Sequence, residues 1–203
     1  MRLIVSLFNS KPLLWLLLVV PAFPYVWDFI KPEIYPPKML YFTGLVSTQL
    51  LVLTLCITPI SFVLKKRTKT KFISQWLLAR RRNFGVASFA YACIHLAVYI
   101  RQNLDIEIIL SELLTWRYGS GWLAFFIMLP IAFSSNDASM RLLGKNWKRI
   151  QRWSYFVAIV TFFHWISFEI FIDSAILWLT ILCVFRVLYF VGKRLNLKKS
   201  YTR

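Results

Sequence analysis

The sequence predicts an all-α fold, a polytopic membrane helix bundle of about six transmembrane helices with both termini cytoplasmic. Three observations carry that prediction. Apolar residues make up 59% of the 203 positions and only 16% are charged, against roughly a quarter in soluble domains, so most of the chain has to be hidden from water. The apolar residues fall into six stretches near the length that spans a bilayer, about 20 residues each with shorter ones tolerated. Lys and Arg gather in alternate connections between them, so the net charge of +17 reads as a positive-inside signal and not as a nucleic-acid surface.

The first helix is read over 13–27. Arg2 and Lys11 precede the apolar run Leu13 to Val20 as in a signal peptide, but no small-residue cleavage site follows, and the segment is kept as a helix kinked near Pro21 and Pro24. The second runs over 39–64. Residues 72–83, FISQWLLARRRN, intersperse Phe72, Ile73, Trp76, Leu77 and Ala79 with polar and basic positions, the pattern of an interfacial amphipathic helix on the inner leaflet. The remaining spans are 84–100, the short 119–133, 153–172 and 175–191, all within a single domain over 1–203. On this layout 20 of the 25 basic residues fall in the terminal and connecting segments of one side, and four on the other.

Cys56, Cys93 and Cys183 each sit inside an apolar stretch, which implies neither a disulfide framework nor a metal-type cysteine pair. The six glycines are scattered and no Gly-rich phosphate loop occurs, so a separate nucleotide-binding domain is not expected and any chemistry belongs to the bundle.

The two histidines, His95 and His164, both lie within apolar helices. Each stands 11 residues from the predicted cytoplasmic entry of its helix, at Phe84 and Trp153, which places both imidazoles roughly 16 Å deep and near mid-membrane. Gly85, Ser88 and Ala92 share a helix face with His95; Ser154, Val157 and Thr161 share one with His164. Such faces either let helices pack closely or leave room for a flat ligand. Two neutral imidazoles on facing helices suit a haem ligated from both sides, a site for electron transfer, and two histidines limit the chain to one such haem. The other reading of an intramembrane histidine pair is a polar pathway in a haem-free transporter or assembly factor.

The stretch RRRNFGVASFAYACIHLAVY, Arg80 to Tyr99, and the stretch SSNDASMRLLGKNWKRIQRWSY, Ser134 to Tyr155, resemble the third-helix and inner-loop motifs of the haem-binding membrane subunit of the bacterial protein-methionine-sulfoxide reductase system. Thr58-Pro59 near the end of the second span agrees with the same family, which belongs with ferric-reductase-like transmembrane domains. The resemblance implies b-type haem with His95 and His164 as its ligands and a place in the bacterial inner membrane. It further implies electrons drawn from the quinone pool or a cytoplasmic flavin reductase, a possible flavin mononucleotide (FMN) as further carrier, and a periplasmic molybdopterin methionine-sulfoxide reductase as partner. A different acceptor, as in ferric reductases, is the nearest alternative. The family usually carries histidine where this chain has Gln151, so a second haem is not expected.

Arg80, Arg81 and Arg82 are placed to pair with a flavin phosphate or a propionate, or else act as an orientation signal and lipid-headgroup cluster; of these Arg81 and Arg82 are the cofactor-binding candidates. Arg101 and Arg117 stand in the corresponding position on the outer side, where interfacial snorkelling explains them equally well.

Overall fold

The computed structural model describes residues 10–23, 37–65 and 67–201. Arg2, Pro24 and the rest of the first predicted helix beyond Phe23, and most of the connection that follows it, lie outside the described residues. Helix α1, Lys11–Val19, starts where Ser10 Oγ accepts from the Leu13 amide, and a 3-10 turn, Val20–Ala22, extends it past Pro21. Helix α2, Pro37–Leu64, contains Pro59, and α3, Lys71–Gln102, follows it after a 3-10 turn at Thr68–Thr70. A short helix α4, Ile106–Leu113, capped by Asp105, leads into α5, Trp116–Phe133, capped by Thr115.

Past α5 the chain bends by 90° into α6, Asp137–Leu143, capped by Asn136. Then come α7, Lys145–Arg152, α8, Ser154–Ser167, and α9, Ile172–Tyr201. No strand occurs among the described residues.

Among the described residues three helices, α2, α3 and α9, are long and apolar enough to cross a membrane, and a fourth if α5 with the bent α6 counts as one span. Exposed large hydrophobics cover α9 and the outer faces of α5 and α8, including Leu177, Val187, Phe126 and Ile159, as lipid contact requires. The chain is a multi-pass membrane protein.

The centre of the bundle is α2, whose Val52, Leu55 and Ile57 are among its most deeply buried side chains. One cluster joins Leu51 and Leu55 to Ala124 and Met128 of α5 and Val157 of α8, and a second joins Ile57 to Leu14 of α1 and Phe84 of α3. A third joins Val52 and Cys56 to Phe162 of α8, with Trp178 and Leu182 of α9 packed against it. A helix with neighbours on several sides needs no single apolar stripe, and the composition of α2 is apolar around its whole circumference.

The seam between α2 and α3 is set by small residues. Ser47 Oγ donates to the Ser88 carbonyl at 2.9 Å and Ser88 Oγ returns the bond to the Ser47 carbonyl at 2.8 Å. Ser61 and Ser74 make the same reciprocal pair at 3.4 and 3.2 Å, four turns along the same antiparallel register. That second clamp changes the expected layout. Residues 72–83, read as a helix of their own, are the first turns of α3: Ser74 ties them to the last turns of α2 and the helix runs on unbroken into Phe84. The Gly85 and Ser88 face accordingly serves close packing, with Gly85 lying against Thr54.

The two pinned ends of the bundle differ. At the arginine end, Arg81 Nε donates to the Thr54 carbonyl and Nη1 to Thr58 Oγ1, both at 3.1 Å, and Arg82 forms an ion pair with Asp137 of α6. The Arg82 guanidinium holds the exposed Asp137 carboxyl below the usual carboxylate range, chiefly through that hydrogen bond. Trp147 Nε1 donates to the Ser134 carbonyl, and Gln151 Nε2 reaches the Ile131 carbonyl and the hydroxyls of Ser134 and Ser135. These bonds take up carbonyls at the end of α5 that the helix itself leaves open.

Candidate functional site

At the opposite end, where α2 and α5 begin, a cavity of about 500 Å³ opens between α2, α3, α5 and α8. His95 and His164 both line it, with their ring centroids 6.4 Å apart and their planes crossed at 88°. The sequence places both imidazoles at one depth, and the structure brings them together across one cavity. Ala92 and Thr161 of the two small-residue faces also line it, whereas Gly85 and Ser88 belong to the helix seam. Aromatic walls complete it, among them Tyr41, Tyr118, Trp122 and Phe168.

Each imidazole is held in the same way by the helix packed against its own. The Nδ1–H of His95 donates to the Leu40 carbonyl of α2 at 2.9 Å, and the Nδ1–H of His164 donates to the Arg117 carbonyl of α5 at 2.8 Å. A carbonyl only accepts, so Nδ1 carries the proton in both rings and Nε2 keeps its lone pair. Neither Nε2 has a hydrogen-bond partner among the described residues. That is how a protein prepares histidine as a metal ligand: the far nitrogen is fixed by a carbonyl and the near one is left open.

The spacing fits a metal between the rings. With metal–nitrogen bonds of about 2.0 Å and about 1.1 Å from nitrogen to ring centre, two imidazoles on opposite sides of one ion would have centroids about 6.2 Å apart. No cluster of three or more His, Cys, Asp or Glu occurs among the described residues, so an ion held here would need its remaining ligands from a group of its own, of the kind a porphyrin supplies.

A feature the sequence reading missed lies under the rings. A Cβ added at Gly44 would stand 3.0 Å from both Cε1 and Nδ1 of His95, and one added at Gly121 would stand 2.6 Å from Cε1 of His164. Both glycines make room for an imidazole. The signal was available in the sequence as a repeat, Tyr41-Phe42-Thr43-Gly44 and Tyr118-Gly119-Ser120-Gly121.

The arginines are not at this cavity. Arg81 and Arg82 sit more than three helical turns from His95 on α3, at the arginine end described above. Arg117 donates through Nε to the Ser167 carbonyl at 2.9 Å and lies over the Phe168 ring, so its side chain closes the end of α8. Tyr91 donates to the Leu18 carbonyl at 2.9 Å and fastens α1 to α3. Gln151 faces the serines at the end of α5, away from the histidine cavity.

Fold and site together define a multi-pass helical membrane protein with a paired-histidine cavity inside the bundle. The chain belongs to the family described as ferric reductase like transmembrane component, which matches residues 43–162 and so includes both histidines. It is 33% identical over 165 residues to the protein-methionine-sulfoxide reductase heme-binding subunit MsrQ of Azospira oryzae, a match that covers 77% of this chain. The same match spans 66% of that relative, just under two thirds of its length. No solved structure matches the chain. The ferric-reductase-like membership implied by the Arg80–Tyr99 and Ser134–Tyr155 motifs is thereby established.

Proposed function

We propose that this protein is a haem-binding membrane electron-transfer subunit of a protein-methionine-sulfoxide reductase system, carrying one b-type haem ligated by His95 and His164. The observation that carries the reading is the matched pair of Nδ1 hydrogen bonds, which leaves two Nε2 lone pairs beside one cavity at a ring spacing that suits an interposed iron. The relative's name supports the same cofactor.

When bound, the haem would supply a one-electron carrier, and with both His95 and His164 holding it the chemistry it supplies would be electron transfer in preference to oxygen chemistry. The protein's own residues do the rest. Leu40 and Arg117 carbonyls orient the imidazoles and raise their basicity, and Tyr41, Trp122 and Phe168 exclude water from the cavity.

On this reading the bundle crosses the bacterial inner membrane six times, with α1 and α8 as the short spans, both termini cytoplasmic and the arginine end inside. Electrons enter at the arginine end from the quinone pool or a cytoplasmic flavin reductase, with FMN as a further carrier. Arg81 and Arg82 are the residues proposed to meet its phosphate, since the present contacts leave Nη2 of each guanidinium for an anion. Electrons leave at the histidine end to a periplasmic molybdopterin methionine-sulfoxide reductase, which carries out the repair of oxidised proteins.

The test is to purify the protein in mild detergent and record reduced-minus-oxidised spectra with haem quantification for the parent, His95→Ala and His164→Ala. One low-spin b-type haem per chain, lost or converted to high spin in either variant, is the expected result. A parent that takes up no haem even when haem is supplied overturns the reading in favour of a haem-free transporter or assembly factor.

A further inference from the structure

We infer that the repeated segments Tyr41-Phe42-Thr43-Gly44 and Tyr118-Gly119-Ser120-Gly121 are two matched cradles that lock the imidazole planes of His95 and His164 in a crossed arrangement, with Gly44 and Gly121 as the positioning residues. The inference rests on the haem reading above and adds to it the geometry of ligation and the residues that set it.

The two cradles share one layout. In α2 the Thr43 hydroxyl is divided between the Met39 carbonyl at 2.9 Å and the Leu40 carbonyl at 3.1 Å, and the Leu40 carbonyl also accepts the His95 Nδ1–H; Thr43 Oγ1 itself lies 3.4 Å from Nδ1. In α5 the Ser120 hydroxyl donates to the Arg117 carbonyl at 3.0 Å, and that carbonyl also accepts the His164 Nδ1–H; Ser120 Oγ lies 3.3 Å from Nδ1. In each case the carbonyl stands four residues before the glycine and the hydroxyl one residue before it, so a single helical turn presents carbonyl, hydroxyl and bare backbone to one ring edge. The tyrosine three residues before each glycine lines the cavity as well.

The glycine is required because of contact distance. A methyl at Gly121 would sit 2.6, 3.0 and 3.1 Å from Cε1, Nδ1 and Nε2 of His164, which no ring tolerates in place. At Gly44 it would sit 3.0 Å from Cε1 and Nδ1 of His95, tight against the same edge. Both glycines are inside helices, where alanine is the better helix former, so their retention has no local backbone rationale. An added methyl has one cheap relief, rotation of the imidazole about its Cβ–Cγ bond. That rotation turns the ring plane and breaks the Nδ1–H bond to the carbonyl. Each cradle thus fixes one plane, and the two are set 88° apart.

Ring-plane angle is directly readable. In ferric low-spin haem, crossed axial imidazoles bring two iron d orbitals close in energy and give one strongly shifted low-field resonance, while parallel ones separate them and give three resolved lines. The experiment is electron paramagnetic resonance of the oxidised holoprotein, with redox titration, for the parent, Gly44→Ala, Gly121→Ala, Ser120→Ala and the conservative Ser120→Thr. The parent is expected to give the single low-field line. Gly44→Ala and Gly121→Ala are expected to move toward three lines and to raise the midpoint potential, because a ligand that loses its Nδ1 bond donates less to iron. Ser120→Ala should shift the line less than Gly121→Ala, and Ser120→Thr should return the parent spectrum.

Circular dichroism separates plane rotation from unfolding; should Gly121→Ala lose haem outright, the milder contact at Gly44 decides. A parent with one haem and a three-line spectrum overturns the crossed geometry and leaves the haem assignment standing. Glycine variants that keep both the parent line and the parent potential overturn the positioning role. A parent without haem overturns the underlying reading instead.

Discussion

Arg81 is where a cofactor role and a structural role make opposite predictions, and Arg81→Gln separates them. Its Nε and Nη1 reach the Thr54 carbonyl and the Thr58 hydroxyl of α2, both at 3.1 Å, in the turn just before Pro59. Proline donates no hydrogen bond and crowds the carbonyl four residues back, so this is the turn of α2 least able to hold itself. Hydrogen bonds from a charged donor contribute about 1.5–3 kcal/mol each in water-soluble proteins, while interhelical bonds in membranes average about 0.6 kcal/mol. Two bonds near the membrane boundary therefore amount to about 2 kcal/mol, which for a chain of this size lowers the unfolding midpoint by about 4–8 °C. The assay is thermal unfolding in detergent followed by helical circular dichroism, run beside flavin retention. Arg81→Lys should fall nearly as far, since an ammonium cannot reproduce the two-point contact of the guanidinium. A variant that keeps the parent midpoint and loses flavin would refute the clamp and assign Arg81 to the cofactor alone.

Tyr91→Phe removes the bond to the Leu18 carbonyl and should weaken the docking of α1 by about 0.5–1.5 kcal/mol, read as faster proteolysis in the α1 region with the haem spectrum unchanged. The Arg82–Asp137 pair carries a pH dependence whose sign follows from the depressed Asp137 carboxyl: its contribution is present above the unfolded carboxyl range and disappears as pH falls through the lower folded value. Protease access to residues 134–152 should therefore rise on acidification below about pH 4, and Asp137→Asn should show the raised access already at neutral pH. Gln151→His restores the residue the family usually carries, yet haem should stay at one per chain, because position 151 faces Ser134, Ser135 and the Ile131 carbonyl. Haem quantification reading two would sink that expectation.

The helical membrane class was legible because composition and apolar run length act on the whole chain and need no partner. The histidine pair was legible for a similar reason, since two lone ionisable residues inside apolar stretches stand out in one dimension; the matching count of 11 from Phe84 and Trp153 is not a distance from helix starts, because α3 begins at Lys71. The fate of Phe72 to Asn83 was not. Its mixed apolar and basic pattern fits a surface-lying helix equally well, and what decides is Ser74 meeting Ser61 of α2, a tertiary contact with no trace in local periodicity. The small-residue face of α3 divides between the two roles such a face allows: Ser88 is spent on the α2 seam, and only Ala92 and His95 reach the cavity. Gly44 and Gly121 gain meaning only when each is paired with a histidine more than 40 residues away, a relation that no local motif displays.

The division of the site between two helix pairs explains why the two family-bearing motifs look so different. His95 and its cradle belong to α2 and α3, which are joined by a short connection and clamped twice by serine pairs, so their register is set locally. His164 and its cradle belong to α8 and α5, which have α6 and α7 between them. Their register depends on how the chain turns back at the arginine end, and there Trp147 and Gln151 bind the last carbonyls of α5. The Ser134–Tyr155 motif lies far from the cavity along the bundle, yet by fixing where α8 begins it fixes the depth at which His164 meets Gly121. One half of the site is therefore carried by the helix that bears the ligand, and the other by the loop that launches it.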